Sequence, residues 1–116
     1  MKKVLICSID NENLNNFEPI VHESQNKFDY TFFDLSNFHK NTINYKQPDI
    51  KKRKSKIQID KPFYLLNVFK RLFTSILFAI EVSKIKEKYD IVICGRIGII
   101  EYIIIKHFKK SGAKAF

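Results

Sequence analysis

The chain has 116 residues, enough for one domain around one modest core. Hydrophobic residues make up 45% and aromatics 14%, which excludes a disordered chain, and three Gly with three Pro are too few for an all-β fold built on tight turns. A formal charge of +9 points toward anionic partners: phosphorylated ligands, acidic lipid headgroups or nucleic acid.

Lys3 to Ile9, "KVLICSI", is an apolar run of the kind found in a parallel strand buried on both faces. Asp10 or Asn11 can cap a following helix. Leu14, Phe17, Ile20 and Val21 then recur at helical spacing, predicting an amphipathic helix from Asn11 to about Gln25. Phe28 to Leu35, "FDYTFFDL", is aromatic and suits a second strand.

Asn37 to Asp60 has no clear period and is interrupted at Pro48. The segment 36–60 reads as a long, exposed basic loop. Between Leu35 and Asp60 seven Lys/Arg stand against two Asp, a local excess of five charges. "KKRKSK", Lys51 to Lys56, is either a solvated loop or a contact for phosphate or lipid headgroups, with Lys51, Lys52, Arg53 and Lys54 as its candidates. Nucleic acid is disfavoured, because no aromatics interleave these charges; the nearest are Tyr45 and Phe63.

Pro62 suits the first turn of a helix, which is expected to continue to about Lys88. Leu65, Phe69, Leu72, Phe73, Ile76 and Ile80 share one face, and Leu66, Leu77 and Phe78 widen it, with Lys70 and Arg71 inserted. Packing within the chain is the plainer reading of this face. A subunit contact, or a membrane interface touched by Lys70 and Arg71 beside the basic loop, is the sharper one. The longest apolar stretch, Leu72 to Ile80, is bounded by Arg71 and Glu81, too short to span a bilayer.

Tyr89 to Cys94 reads as a third buried strand, Gly98 to Lys110 as a helix stopped by Ser111-Gly112, and Ala113 to Phe116 as the start of a fourth strand. Alternation of strand and helix implies a Rossmann-like α/β domain over residues 1–116. It would have a parallel sheet of about four strands flanked by helices, in the order 3-2-1-4 or a near variant. Ligands collect at the carboxyl ends of such strands. That rule selects Ser8, Asp10 and Asn11 after the first strand, and Gly95, Arg96 and Gly98 after the third.

In that turn, Gly95 and Gly98 permit close backbone approach, the helix start favours an anion, and Arg96 suits a carboxylate or phosphate. Equally, the two glycines simply shape a turn, and Asp10 simply caps a helix. No glycine follows the first strand, so a dehydrogenase-type nicotinamide site is rejected. Cys7 and Cys94 each end a strand without C-x-x-C or a metal-like spacing to histidine. They read as small core residues in a reduced, cytoplasmic protein. No secretory signal is present in the sequence, and no metal or cofactor is expected.

The pattern of an N-terminal strand, a second strand, a long variable segment and then "YDIVICGRIGIIEYIIIKHFKKSGAKAF" resembles the N-terminal, acceptor-side half of GT-B-type glycosyltransferases of polysaccharide biosynthesis. Asp90, Ile91 to Cys94, Gly95 to Gly98, Ile99 to His107 and Ala113 to Phe116 occupy the family's places. The resemblance implies transfer from a nucleotide-sugar donor to a glycan or lipid-linked acceptor, with the turn Gly95 to Gly98 facing the cleft. It implies a further C-terminal domain, or a partner chain, that carries most donor contacts. This chain would then be one part of a longer protein and inactive alone, on the inner face of the membrane. A fragment of a sugar-nucleotide epimerase is the near alternative. A non-catalytic α/β binding or oligomerisation module is the alternative from another class.

Overall fold

The computed structural model describes residues 2–7, 19–24, 26–35, 38, 51–57, 63–95 and 98–116, the side chain of Tyr64 excepted. Five strands form one sheet: β1 (Lys2–Cys7), β2 (Phe28–Asp34), β3 (Lys51–Lys54), β4 (Ile91–Cys94) and β5 (Lys114–Ala115). Their order is β3-β2-β1-β4-β5, and every neighbouring pair is parallel. The helices are α1, described over residues 19–24, α2 (Val68–Ser83) and α3 (Ile99–Lys109). The chain is thus a Rossmann-like parallel sheet flanked by helices.

β1 occupies the middle of the sheet, and Val4 to Cys7 are buried without a break because helices cover both faces. Alternation along the strands divides the core in two. Leu5, Cys7 and Phe33 pack with Phe78 and Val82 of α2 and with Ile100, Ile104 and Phe108 of α3. Val4, Ile6, Tyr30 and Phe32 point the other way and pack with Val21 of α1. The first layer is rich in edge-on aromatic contacts. Phe78 meets Phe38 at 5.0 Å and Phe33 at 6.0 Å between ring centroids.

Several sequence expectations are corrected. Residues 51–54 of the expected loop are a strand, β3, paired with β2 from Thr31↔Lys51 to Asp34↔Lys54. β3 is an edge strand whose side chains mostly face water, so backbone pairing forms it without any apolar pattern. The expected third strand, now β4, lies beside β1 rather than beyond the second strand, with Val4↔Ile91 through Cys7↔Cys94 in register. The order 3-2-1-4 on four strands is therefore replaced by the five-strand order above.

The long helix expected from Pro62 begins later, after a 3-10 turn at Phe63–Leu65. Asn67 sets its start: the Lys70 amide donates to Asn67 Oδ1 at 2.8 Å. The helix ends at Ser83, short of the expected Lys88. Its apolar stripe does not pack into the core either. Phe69 is 82% and Phe73 63% exposed, while the buried residues of α2 are Thr74, Ser75, Phe78 and Val82. α3 and its stop match expectation. Gly112 adopts φ +98, a left-handed conformation that favours glycine, and the Ala113 amide returns to the Phe108 carbonyl at 3.1 Å.

Candidate functional site

The carboxyl ends of β1 and β4 are neighbours. Cys7 and Cys94 are register partners, and the Gly95 amide donates to the Cys7 carbonyl at 3.0 Å. The two strand ends that precede the segments selected from sequence are therefore adjacent, as at a switch point. Ser8, Asp10, Asn11 and Arg96 lie outside the described residues. Of the six candidates, Gly95 is exposed and Gly98 half-buried at the N-cap of α3. Gly98 has extended backbone, φ −164, so conformational freedom is not what requires glycine there. Space is tight: an added Cβ would stand 3.0 Å from Glu101 Oε2, so that carboxyl end would have to shift by a few tenths of an ångström.

Glu101 is a buried acid beside the candidate turn that sequence reasoning passed over. It lies in the first turn of α3 and is only 1% exposed. The helix start favours a carboxylate there. Its presence also means that this helix start already has a carboxyl group in its first turn. A single acid inside "IIEYIII" was the available signal.

At the carboxyl ends of β1 and β4 the two thiols touch, with Sγ to Sγ at 2.9 Å, and Cys7 Sγ also lies 3.6 Å from the Ile93 carbonyl. The bond to Cys94, then burial, then the nearby charges of Cys94 and Glu101 push the Cys7 thiol well above its ordinary pKa. Cys7 is therefore a neutral thiol at neutral pH and a poor nucleophile. Asp90, part of the family-like segment, sits at the opposite end of the strands. Its carboxylate accepts the Lys3 amide at 2.8 Å, and its own amide donates to the Lys3 carbonyl at 2.8 Å, which clamps β4 to β1.

The basic candidates form a second region. Lys52 and Lys54 are exposed on β3, Lys51 pairs loosely with Asp29 at 3.5 Å, and Arg53 pairs with Glu87 at 3.3 Å. The Glu87 carboxyl is held below its usual pKa first by the Tyr89 hydroxyl, which donates to it at 2.9 Å, and then by Arg53. Glu81 ties the segment after β3 to α2. Its carboxylate accepts the Ser55 hydroxyl and the Lys56 amide, each at 2.8 Å.

Between these elements lies an open cleft of about 520 Å³. Phe33, Leu77 and Ile80 line its apolar part, and Arg53, Lys54, Lys56 and Lys84 its basic part. Lys56 and Lys84 were not among the sequence candidates. Lys70 and Arg71 were, but they sit at the far end of α2, about 21 Å from Lys84 at 1.5 Å per residue. The sheet thus brings the β3 cations together with the end of α2 and leaves Lys70 and Arg71 apart. Among the described residues no group of three or more His, Cys, Asp or Glu side chains is placed to hold a metal ion.

No family model matches the chain, and no curated protein matches it significantly. Among solved structures it is similar to the C-terminal domain of a hydrogenase from Pyrococcus furiosus, seen in two crystal structures. Each superposes with a TM-score of 0.64, at 12% and 15% sequence identity, covering 99% of this chain and 89% of the solved domain. At such identity the likeness is one of fold.

Proposed function

We propose that this chain is the acceptor-side half of a GT-B-type glycosyltransferase of cell-surface polysaccharide or lipid-linked glycan synthesis. In this reading a sugar passes from a nucleotide-sugar donor to a glycan or lipid-linked acceptor. The donor is held chiefly by a complementary C-terminal domain or partner chain. Transfer takes place on the inner face of the membrane, with which the protein associates peripherally. The observation that carries the reading is the pairing of β1 with β4, joined at its end by the Gly95 to Cys7 bond. It sets the carboxyl ends of the two strands next to each other, the position where ligands collect in open parallel sheets, and this adjacency supports the reading.

The test is an amide-resolved NMR titration of the ¹⁵N-labelled chain with a short-chain polyprenyl-diphosphate-linked sugar and, separately, with a nucleotide sugar. The acceptor analogue is expected to shift Gly95, Gly98 and their neighbours, and the nucleotide sugar to shift them far less. If neither ligand moves a resonance at the carboxyl ends of β1 and β4, the reading fails. The exposed apolar face of α2 favours a second reading, a non-catalytic module that oligomerises through that helix.

A further inference from the structure

α2 carries its apolar residues outward. At about 100° per residue, Phe69, Leu72, Phe73, Ile76 and Ile80 share one stripe, and all five are exposed. Thr74, Ser75, Phe78 and Val82, the buried positions, lie on the opposite side. Val68 at the helix start and Leu65 in the preceding 3-10 turn prolong the exposed apolar surface, and Leu77 carries it into the basic cleft. A contiguous apolar face of this kind marks a contact surface.

Length limits what that contact can be. α2 has 16 residues, about 24 Å at 1.5 Å each, less than the roughly 30 Å of a bilayer core. Among the described residues no helix is long and apolar enough to cross a membrane. A helix of this shape can lie in an interface but not span it.

Charge chooses the occupant. Lys70 and Arg71 stand at one end of α2, and Lys54, Lys56 and Lys84 at the other. α2 has no acidic residue before Glu81, and both oxygens of that carboxylate are engaged by Ser55 and Lys56. Two copies pairing antiparallel through this face would set Lys70 of one, on the flank of the stripe, against the cleft cations of the other, whereas Arg71 lies on the Phe78 side. An anionic surface meets both groups with opposite charge. The cleft also holds a donor in want of an acceptor: Arg53 Nε is buried with no hydrogen-bond partner among the described residues.

We infer that α2 docks on an anionic lipid bilayer. Its stripe sits at headgroup depth, and a lipid phosphate occupies the cleft between β3 and α2, held by Lys54, Lys56 and Lys84. The long lysine stems run along the apolar wall while their ammonium groups reach the phosphates. The inference rests on the membrane part of the proposed function and needs neither donor nor transfer.

The experiment is co-sedimentation of the 116-residue chain with vesicles of phosphatidylcholine alone or with one lipid in three replaced by phosphatidylglycerol. Binding is expected to the anionic vesicles at low salt. It should fall at least tenfold at about 1 M salt, where the Debye length is about 3 Å. F69S/F73S, on exposed positions that leave the circular dichroism spectrum unchanged, should weaken binding by on the order of tenfold or more. K54Q/K56Q/K84Q should weaken it roughly a hundredfold, at about fivefold per cation. Absence of binding at low salt, equal binding to neutral vesicles, or full binding by F69S/F73S overturns the inference. So does a micromolar dimer that F73S dissolves, since a second copy then covers the face. Vesicle binding with no response to the acceptor analogue would sink the glycosyltransferase reading and leave this one standing.

Discussion

Two phenylalanines five residues apart on α2 have opposite fates, and replacing each with alanine tests the rotation of that helix. Phe78 is fully buried and meets Phe33 and Phe38 edge-on. Phe78→Ala removes a ring from the centre of the larger core cluster, which costs about 3–5 kcal/mol in transfer and cavity terms. Phe73 is 63% exposed. Only about a third of the roughly 1.5–3 kcal/mol for full burial is then at stake, about 0.5–1 kcal/mol. Alanine's better helix propensity returns a few tenths of that. Phe73→Ala should therefore be nearly neutral. Total stability for a domain of this size is about 5–15 kcal/mol, so Phe78→Ala removes a large share of it. The assay is urea unfolding followed by far-ultraviolet circular dichroism, because the chain has no tryptophan to report. At a slope of about 2 kcal/mol per molar, the Phe78→Ala midpoint should fall by about 2 M and the Phe73→Ala midpoint by a few tenths. Equal losses, or a larger loss for Phe73→Ala, would mean that α2 turns its other side to the sheet.

Gly112→Ala should cost about 1–2 kcal/mol purely through its φ of +98, since no atom lies within 4 Å of an added Cβ; an unchanged urea midpoint would contradict that backbone assignment. Iodoacetamide should modify Cys94 well before Cys7, because Cys7 is fully buried and its thiol is pushed up by Cys94 and by burial. Peptide masses showing equal rates at the two thiols would remove that ordering. Tyr89 is raised above its ordinary pKa by burial and then by its bond to Glu87. A group raised by folding contributes stability below its unfolded pKa, near 10, and loses it as pH rises through the folded value. Wild type should accordingly lose stability above about pH 10 more steeply than Tyr89→Phe, and superimposable pH profiles would show that Tyr89 is not the group responsible.

What the sequence makes legible follows from how each element is stabilised. β1 and β4 are covered on both faces, so they must be continuously apolar, and "KVLIC" and "IVIC" announce themselves. Gly112 is visible because a left-handed stop favours glycine. β3 is silent for the opposite reason: an edge strand facing water needs only backbone pairing, and four cations in a row look like a loop. α2 misleads because periodicity locates a stripe without saying which side meets the sheet. Thr74 and Ser75 can face inward because they are small, and the Ser75 hydroxyl is satisfied by donating to the Arg71 carbonyl at 2.7 Å. The strand-end rule selects the segments after β1 and β4, but the pairing of these two strands is not legible, because equally apolar strands do not announce their neighbours. The buried Glu101 is not legible either, because an acid in a helix ordinarily points to water.

The central position of β1 also bears on how the molecule is made. The strand that starts the chain pairs on one side with residues 28–33 and on the other with residues 91–94. Cys7 and its register partner Cys94 are separated by 87 positions, so at about 5–20 residues per second a ribosome needs roughly 4–17 s between them. Throughout that interval β1 can join β2 and α1, but its second edge stays open. The aromatic layer beneath α2 waits for β4 and α3 to cover it. Nascent chains stalled before Ile91 should therefore be the protease-sensitive, chaperone-engaged species, and protection should rise abruptly once β4 emerges.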